Sequence, residues 1–220
     1  MTIQDQADRA FDAPAPAPAP ADVVDVVDAI VGPAPGIDAL RRRRPHTREQ
    51  LQASFDALFR PLSEEHVTRA ERELIAAFVT RATADDATAR FYAERASAAD
   101  PRGARVIAEA VRAAAAGPFG RYAEQGLQAE NSEGVRYTPD EEAREDLGVR
   151  LAVALGHAHL LTFRPREARS ADIDRLLSAG WSPDGVVTLS QLIAFLAFQQ
   201  RVVAGLTALS TDSSREEIAA

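Results

Sequence analysis

Residues 181–206, WSPDGVVTLSQLIAFLAFQQRVVAGL, constrain the fold more than any other stretch of the chain. They form its longest apolar segment, and its start is well marked. Ser182 suits an N-cap, Pro183 the first helical turn and Asp184 the positive end of the helix dipole. Val186, Leu189, Leu192, Ile193, Leu196, Val203 and Leu206 recur at intervals built from three and four residues, which is the period of a helix. Ala194, Phe195, Ala197 and Phe198 widen the stripe until the helix is apolar almost all round, a pattern that predicts burial on several sides. This helix is expected to be the spine of the core. Its Ser, two Gln and Arg within about 20 residues argue against a bilayer span.

The remaining segments read as helices. Residues 1–20 end in alternating Ala-Pro, which is extended and packs no core, so they are expected to be a disordered tail. A short helix is expected over 21–31 and one or two turns over 37–44, ended by Pro45. Thr47-Arg48-Glu49-Gln50 has the form of a capping box opening a helix to Phe59, and Thr68-Arg69-Ala70-Glu71 opens another carrying Leu74, Ile75, Phe78 and Val79. Asp85 or Asp86 caps the next helix, through Tyr92 to Ala98, and a further one spans 105–116. Residues 117–137 lack periodicity and hold four Gly and two Tyr. A loop of that length is usually functional or mobile. One long helix is expected from Asp140 to Leu161, then a short helix capped by Ser170 and stopped at Gly180. The helical domain is drawn over 21–208, with a flexible tail over 209–220. The whole is all-α, with about eight helices and no sheet.

Composition excludes several function classes. The net charge of −8 argues against a general nucleic-acid binder. Arg41 to Arg44 form the one basic run, and without interleaved aromatics they read as a solvated helix end. The absence of Cys removes disulfides, thiolate ligands and thiol redox chemistry. The first residues lack the basic start and apolar core of a signal peptide, so a cytoplasmic location is expected.

Catalytic motifs are scarce: the chain has no phosphate loop, dinucleotide fingerprint, HExxH or nucleophile elbow. His157 and His159 are two apart on one helix, point to different faces and do not share a metal there. His157, inside VALGHAHLL, is expected to be a hydrogen-bonded core residue, with a general acid or base lining a cavity as the alternative. Glu73 is expected to be solvated beside Arg69 or Arg72, or else to point into a pocket with a raised pKa. Arg201 suits a bidentate grip on a substrate carboxylate. The greater weight falls on a structural role, as a cap on its own helix end or a grip on a carboxylate across a subunit interface, because buried Arg is generally paired.

The C-terminal half resembles the carboxymuconolactone decarboxylase-like superfamily, in particular its alkylhydroperoxidase D-like, peroxidase-related members. Gly180, Trp181, Phe198 and Arg201 match that pattern, and Arg72-Glu73-Leu74-Ile75-Ala76 resembles the family's Arg-Glu-aliphatic motif. The resemblance implies an alkylhydroperoxidase D-like bundle and a homo-oligomer: dimer, trimer or hexamer. It also implies partnership with a Cys-bearing relative. The family's Cys-x-x-Cys-x-x-x-His begins twelve residues after that Glu; here those positions hold Asp85, Thr88 and Tyr92. Without a thiolate to attack a peroxide and a thiol to resolve the sulfenate, the peroxidase cycle does not run. The resemblance therefore implies one of three roles: a thiol-free small-molecule binder, an acid–base enzyme of the lactone decarboxylase type using Glu73, His157 and Tyr92, or an accessory subunit. Trp181, Phe198 and Arg201 are its ligand or interface candidates. No cofactor, metal, nucleic acid or membrane is implied.

Overall fold

The computed structural model describes residues 25–32 and 35–219, with side chains over 25–32 and 36–210. The Ala-Pro run and the expected helix start at Ala21 lie outside the described residues. Ten α-helices follow one another: α1 (Val26–Val31), α2 (Pro35–Arg42), α3 (Pro45–Phe59), α4 (Arg69–Thr83), α5 (Ala87–Ala99), α6 (Gly103–Arg112), α7 (Glu141–Leu147), α8 (Val149–Phe163), α9 (Ser170–Ser178) and α10 (Pro183–Ala219). The described residues hold no strand, only one isolated bridge between Gly120 and Ser132.

Local capping chemistry sets most boundaries. Thr68 and Glu71 form the expected reciprocal box at the start of α4. Asp86, Asp140 and Ser182 accept N–H groups from Ala89, Ala143 and Gly185. Several boundaries differ from the sequence reading. Ser170, expected to cap α9, is its first residue, and Arg169 is the N-cap. The box at Thr47 is unused, because Pro45 already sits in the first turn of α3; a preset φ and a missing N–H make Pro a good first-turn residue. The long helix expected over 140–161 is two, broken at Gly148, whose φ of 79° is left-handed. Ten α-helices thus stand among the described residues against about eight expected: this split adds one, and α2 forms where only one or two turns were expected. At the far end, α10 continues helically to Ala219, past the boundary drawn at 208.

The centre of the bundle is α4, not α10. Ten of its residues, including Leu74, Ile75, Phe78 and Val79, are buried, and α5, α6, α8 and α10 all pack on it. Its polar residues are buried with partners. Arg72 donates to the carbonyls of Leu58 and Val67, and Thr80 donates to that of Ala76. By contrast α10 buries one face and leaves another open, with Val187 and Phe198 about half exposed. Its stretch Pro183–Ser210, of mean hydropathy 1.6, is long and apolar enough by length and composition alone to cross a membrane, and 39% of its most apolar 18-residue window is buried in the bundle.

Arg150 joins three parts of the bundle. From the start of α8 its guanidinium donates to Glu71 of α4 at 2.6 Å, to the His66 carbonyl at 2.8 Å and to the Gly180 carbonyl. It lies 4.1 Å from the Trp181 ring centroid, and the Trp181 indole N–H donates to the Arg150 carbonyl. The basic run is also structural at its first residue. Arg41 is buried against Asp25 and Asp28, tying α2 to the start of α1.

Candidate functional site

A cavity of about 230 Å³ lies over the outer side of α8, between α9, Arg144 of α7 and the end of the 117–137 loop. That volume falls below the roughly 300–1,000 Å³ of drug-sized pockets, so it suits a small metabolite. Val153, Gly156 and Leu160 form its floor, at the three- and four-residue spacing of one helix face. His157 and His159, two apart on α8, both line this cavity, as does Gly156. A Cβ at Gly156 would find nothing nearer than the Pro139 ring at 3.7 Å.

The loop forms the rim through a lock at Glu167. Its carboxylate accepts from Arg164 at 2.7 and 2.8 Å, from Arg136 at 2.7 and 3.1 Å and from the Arg121 backbone N–H at 3.2 Å. The Arg164 hydrogen bonds, then those of Arg136, hold its pKa down at about 2 against the opposing effect of burial. Arg164 also donates to the Gly134 carbonyl at 3.1 Å. Gly134 has to be glycine: a Cβ would stand 2.3 Å from the Phe119 ring. Together these contacts place Arg136, Tyr137, Thr138 and Pro139 on the cavity wall.

The wall is cationic. Arg136, Arg144, Arg164 and Arg175 line it, against Asp172 alone. Arg136 and Arg164 share Glu167, and Arg175 pairs with Asp172. Arg144 makes no side-chain hydrogen bond or ion pair with a described residue. The imidazoles are neutral at pH 7. Burial lowers the pKa of His157, opposed by Asp172 and assisted by Arg175. Burial brings His159 to about 4, with the Ala113 carbonyl opposing and Arg164 assisting. Both nitrogens of His157 and Nε2 of His159 are buried without a hydrogen-bond partner among the described residues. His157 is thus buried as expected but is not the hydrogen-bonded core residue expected.

The structure does not bring the three catalytic candidates together. Glu73 is buried, not solvated, and its partner is Arg95 of α5, with Arg95 Nε at 2.9 Å. The Arg95 guanidinium in turn lies over Phe55, Phe59 and Phe91. Tyr92, fully buried, donates its hydroxyl to Gln199 at 2.6 Å, and burial pushes its pKa far up. Neither residue lines the cavity that holds His157. Of the motif positions, Asp85 is a surface residue near Arg81, while Thr88 is buried with its hydroxyl unpartnered. Trp181 is buried under Arg150, away from the cavity. Phe198 and Arg201 are exposed on α10, and Arg201 makes no side-chain hydrogen bond or ion pair with a described residue.

Sequence reasoning missed Arg136, Arg144, Arg164 and Asp172. One signal was legible: Gly156 interrupts an apolar helix, and a helical Gly that costs about 1 kcal/mol against Ala usually has a packing or functional reason. A second cluster also went unseen. Ser182 Oγ lies 3.0 Å from His66 Nδ1, and Asp184 lies 3.5 Å from His66 Nε2. This Ser–His–Asp line is a helix cap, since Ser182 Oγ accepts from Gly185 N and Pro183 removes the adjacent N–H that an oxyanion would need. No group of three or more His, Cys, Asp or Glu suited to a metal occurs among the described residues.

No protein-family model, curated protein or solved structure matches the chain. The resemblance to the carboxymuconolactone decarboxylase-like superfamily rests on the sequence motifs alone.

Proposed function

We propose that the protein binds a small organic anion in the cavity over α8, as a thiol-free binding protein. The observation that carries this reading is the wall itself. Two neutral imidazoles, with three ring nitrogens that find no partner among the described residues, line the same space as four arginines, one of them unpaired among those residues. Each unmet polar group costs about 1–3 kcal/mol when buried, a cost that a bound ligand, or an imidazole turning toward one, offsets. An arginine offers a planar fork for a carboxylate. The acid–base reading is less well supported, because Glu73 and Tyr92 are committed to Arg95 and Gln199 and stand apart from His157.

The test is thermal shift and calorimetry with acetate, succinate, benzoate, phenylacetate and phosphate. At least one carboxylate is expected to raise the melting temperature in proportion to ln(1 + [L]/Kd). Gly156→Leu fills the floor, and Arg144→Ala removes the free cation; each is expected to weaken binding about tenfold or more while the fold persists. A panel without any shift, or equal binding by Gly156→Leu, refutes the assignment.

A further inference from the structure

The inner face of α10 puts Leu189, Leu192, Leu196, Gln199 and Val203 into the core. The opposite face presents Asp184, Val187, Gln191, Ala194, Phe198 and Arg201, all exposed. Their spacing alternates three and four residues throughout, the seam of a two-helix coiled coil. Val187 is 56% and Phe198 46% exposed, the Asp184 side chain 78%. The guanidinium of Arg201 has no hydrogen bond or ion pair with a described residue.

We propose that a second copy of the chain docks antiparallel on this face of α10. Turned about a twofold axis between residues 192 and 193, the stripe meets its own image. Asp184 faces Arg201 of the second copy, Val187 faces Phe198, and Gln191 faces Ala194. Each contact then occurs twice, as a twofold interface requires. Opposite charges meet at both ends, the large ring covers a β-branched residue, and the small Ala194 lets the helices approach beside the longer Gln191. The parallel alternative sets Asp184 on Asp184 and Arg201 on Arg201, and like charges in register are repulsive. Charge and size thus select both the occupant and its direction. The contact runs 17 residues from Asp184 to Arg201, or about 25 Å at 1.5 Å per residue. One helix pair of that length is modest beside a standard interface of about 1,600 Å², so the dimer is a reversible one.

The chain has no Cys, so disulfide trapping reads the register directly. Asp184→Cys and Arg201→Cys proteins, mixed under mild oxidation, are expected to cross-link to each other about tenfold more than either does to itself, because like positions lie about 25 Å apart in the antiparallel pair. Sedimentation equilibrium on the native chain is expected to show a dimer. Phe198→Glu should raise its dissociation constant about tenfold or more with helicity unchanged. Asp184→Arg and Arg201→Asp should each weaken the dimer, and the double reversal should restore it. A native chain that stays monomeric at about 1 mM, where a millimolar Kd would still give a visible dimer, overturns the proposal. So does a self-linked Asp184→Cys dimer, which reports a parallel pair. Flotation with phosphatidylcholine vesicles in place of self-association overturns it too, by giving the face to a bilayer.

Discussion

Replacing Arg150 with Ala tests how the bundle holds α8 in place. Three charge-assisted hydrogen bonds end, to Glu71, His66 and Gly180, along with the stack on Trp181. Hydrogen bonds from a charged donor are worth about 1.5–3 kcal/mol each, and a cation over an aromatic ring about 0.5–2. Their plain sum overstates the loss, for two reasons. The Arg150 side chain is 33% exposed, so water screens it. Glu71 also keeps the Thr68 N–H at 2.9 Å and its hydroxyl at 3.2 Å, so its carboxylate is not stranded. About 3 kcal/mol is the expected cost, and for a domain of this size about 2–4 °C per kcal/mol gives a fall of about 6–12 °C in Tm. Arg150→Lys keeps a charge but loses the fork and the flat stack, and should recover less than half.

Acid titration checks the same argument independently. Burial raises the Glu71 pKa, and the hydrogen bonds of Arg150 and Thr68 outweigh it, so the net shift is downward. A carboxylate lowered on folding contributes stability above its unfolded pKa, and that contribution is lost as pH falls through the folded value. The gap between native protein and Arg150→Ala should therefore be widest near neutrality and narrow as pH falls below about 4.5, leaving the part due to the two carbonyls and the Trp181 ring. Urea unfolding followed by circular dichroism at several pH values measures it. A Tm change under about 2 °C, or a gap that widens in acid, refutes the reasoning. The consequence reaches the cavity as well: His157 lies two turns beyond Arg150 on α8, so a loosened staple is expected to weaken ligand binding without touching the wall.

Two further changes address the lock and the core. Glu167→Gln leaves buried Arg164 without its carboxylate; a loss of about 3 kcal/mol is expected, with faster amide exchange over residues 118–134, and unchanged exchange there would refute the lock. In the native chain the Glu167 contribution is present above about pH 4.5 and fades as pH falls toward its folded value of about 2, which a stability–pH series reads directly. Tyr92→Phe removes the donor to Gln199, whose Nε2 already lacks a partner, so a loss of about 1–2 kcal/mol in urea unfolding is expected; an equally stable variant would mean that the pair contributes nothing.

What the sequence made legible was local. Caps at Thr68, Asp86, Asp140 and Ser182 act within three residues of themselves, and the all-helical class follows from periodicity carried by neighbours on one helix. The misses share the opposite property. Hydropathy marked α10 as the spine, but an apolar composition does not supply neighbours on every side, and one face of α10 stayed open. Glu73 is expected to be solvated, yet it lies on α4, of which ten residues are buried. The partners of Arg72 and Glu73 are the carbonyls of Leu58 and Val67 and the guanidinium of Arg95, which lies 22 residues beyond Glu73. The resemblance set Asp85, Thr88 and Tyr92 in one motif, but Asp85 precedes α5 and stays at the surface while the other two turn inward.

The cavity is the extreme case of that long-range dependence. Its cations come from three places: Arg136 at the end of the loop, Arg144 on α7, and Arg164 and Arg175 around α9. Glu167 brings the loop to them by binding Arg136 across 31 residues of sequence, helped by Arg164 on the Gly134 carbonyl and by Tyr137 donating to Glu109. A single glycine marked the floor, because an empty Cβ position is a property of one residue. The charge of the wall belongs to the assembled fold. For that reason Gly156→Leu and Glu167→Gln should fail in different ways. The first should block binding in a loop that stays ordered. The second should disorder the loop and lose binding as a result. Amide exchange on both variants separates the two, and a loop equally protected in both would show that the rim does not depend on the lock.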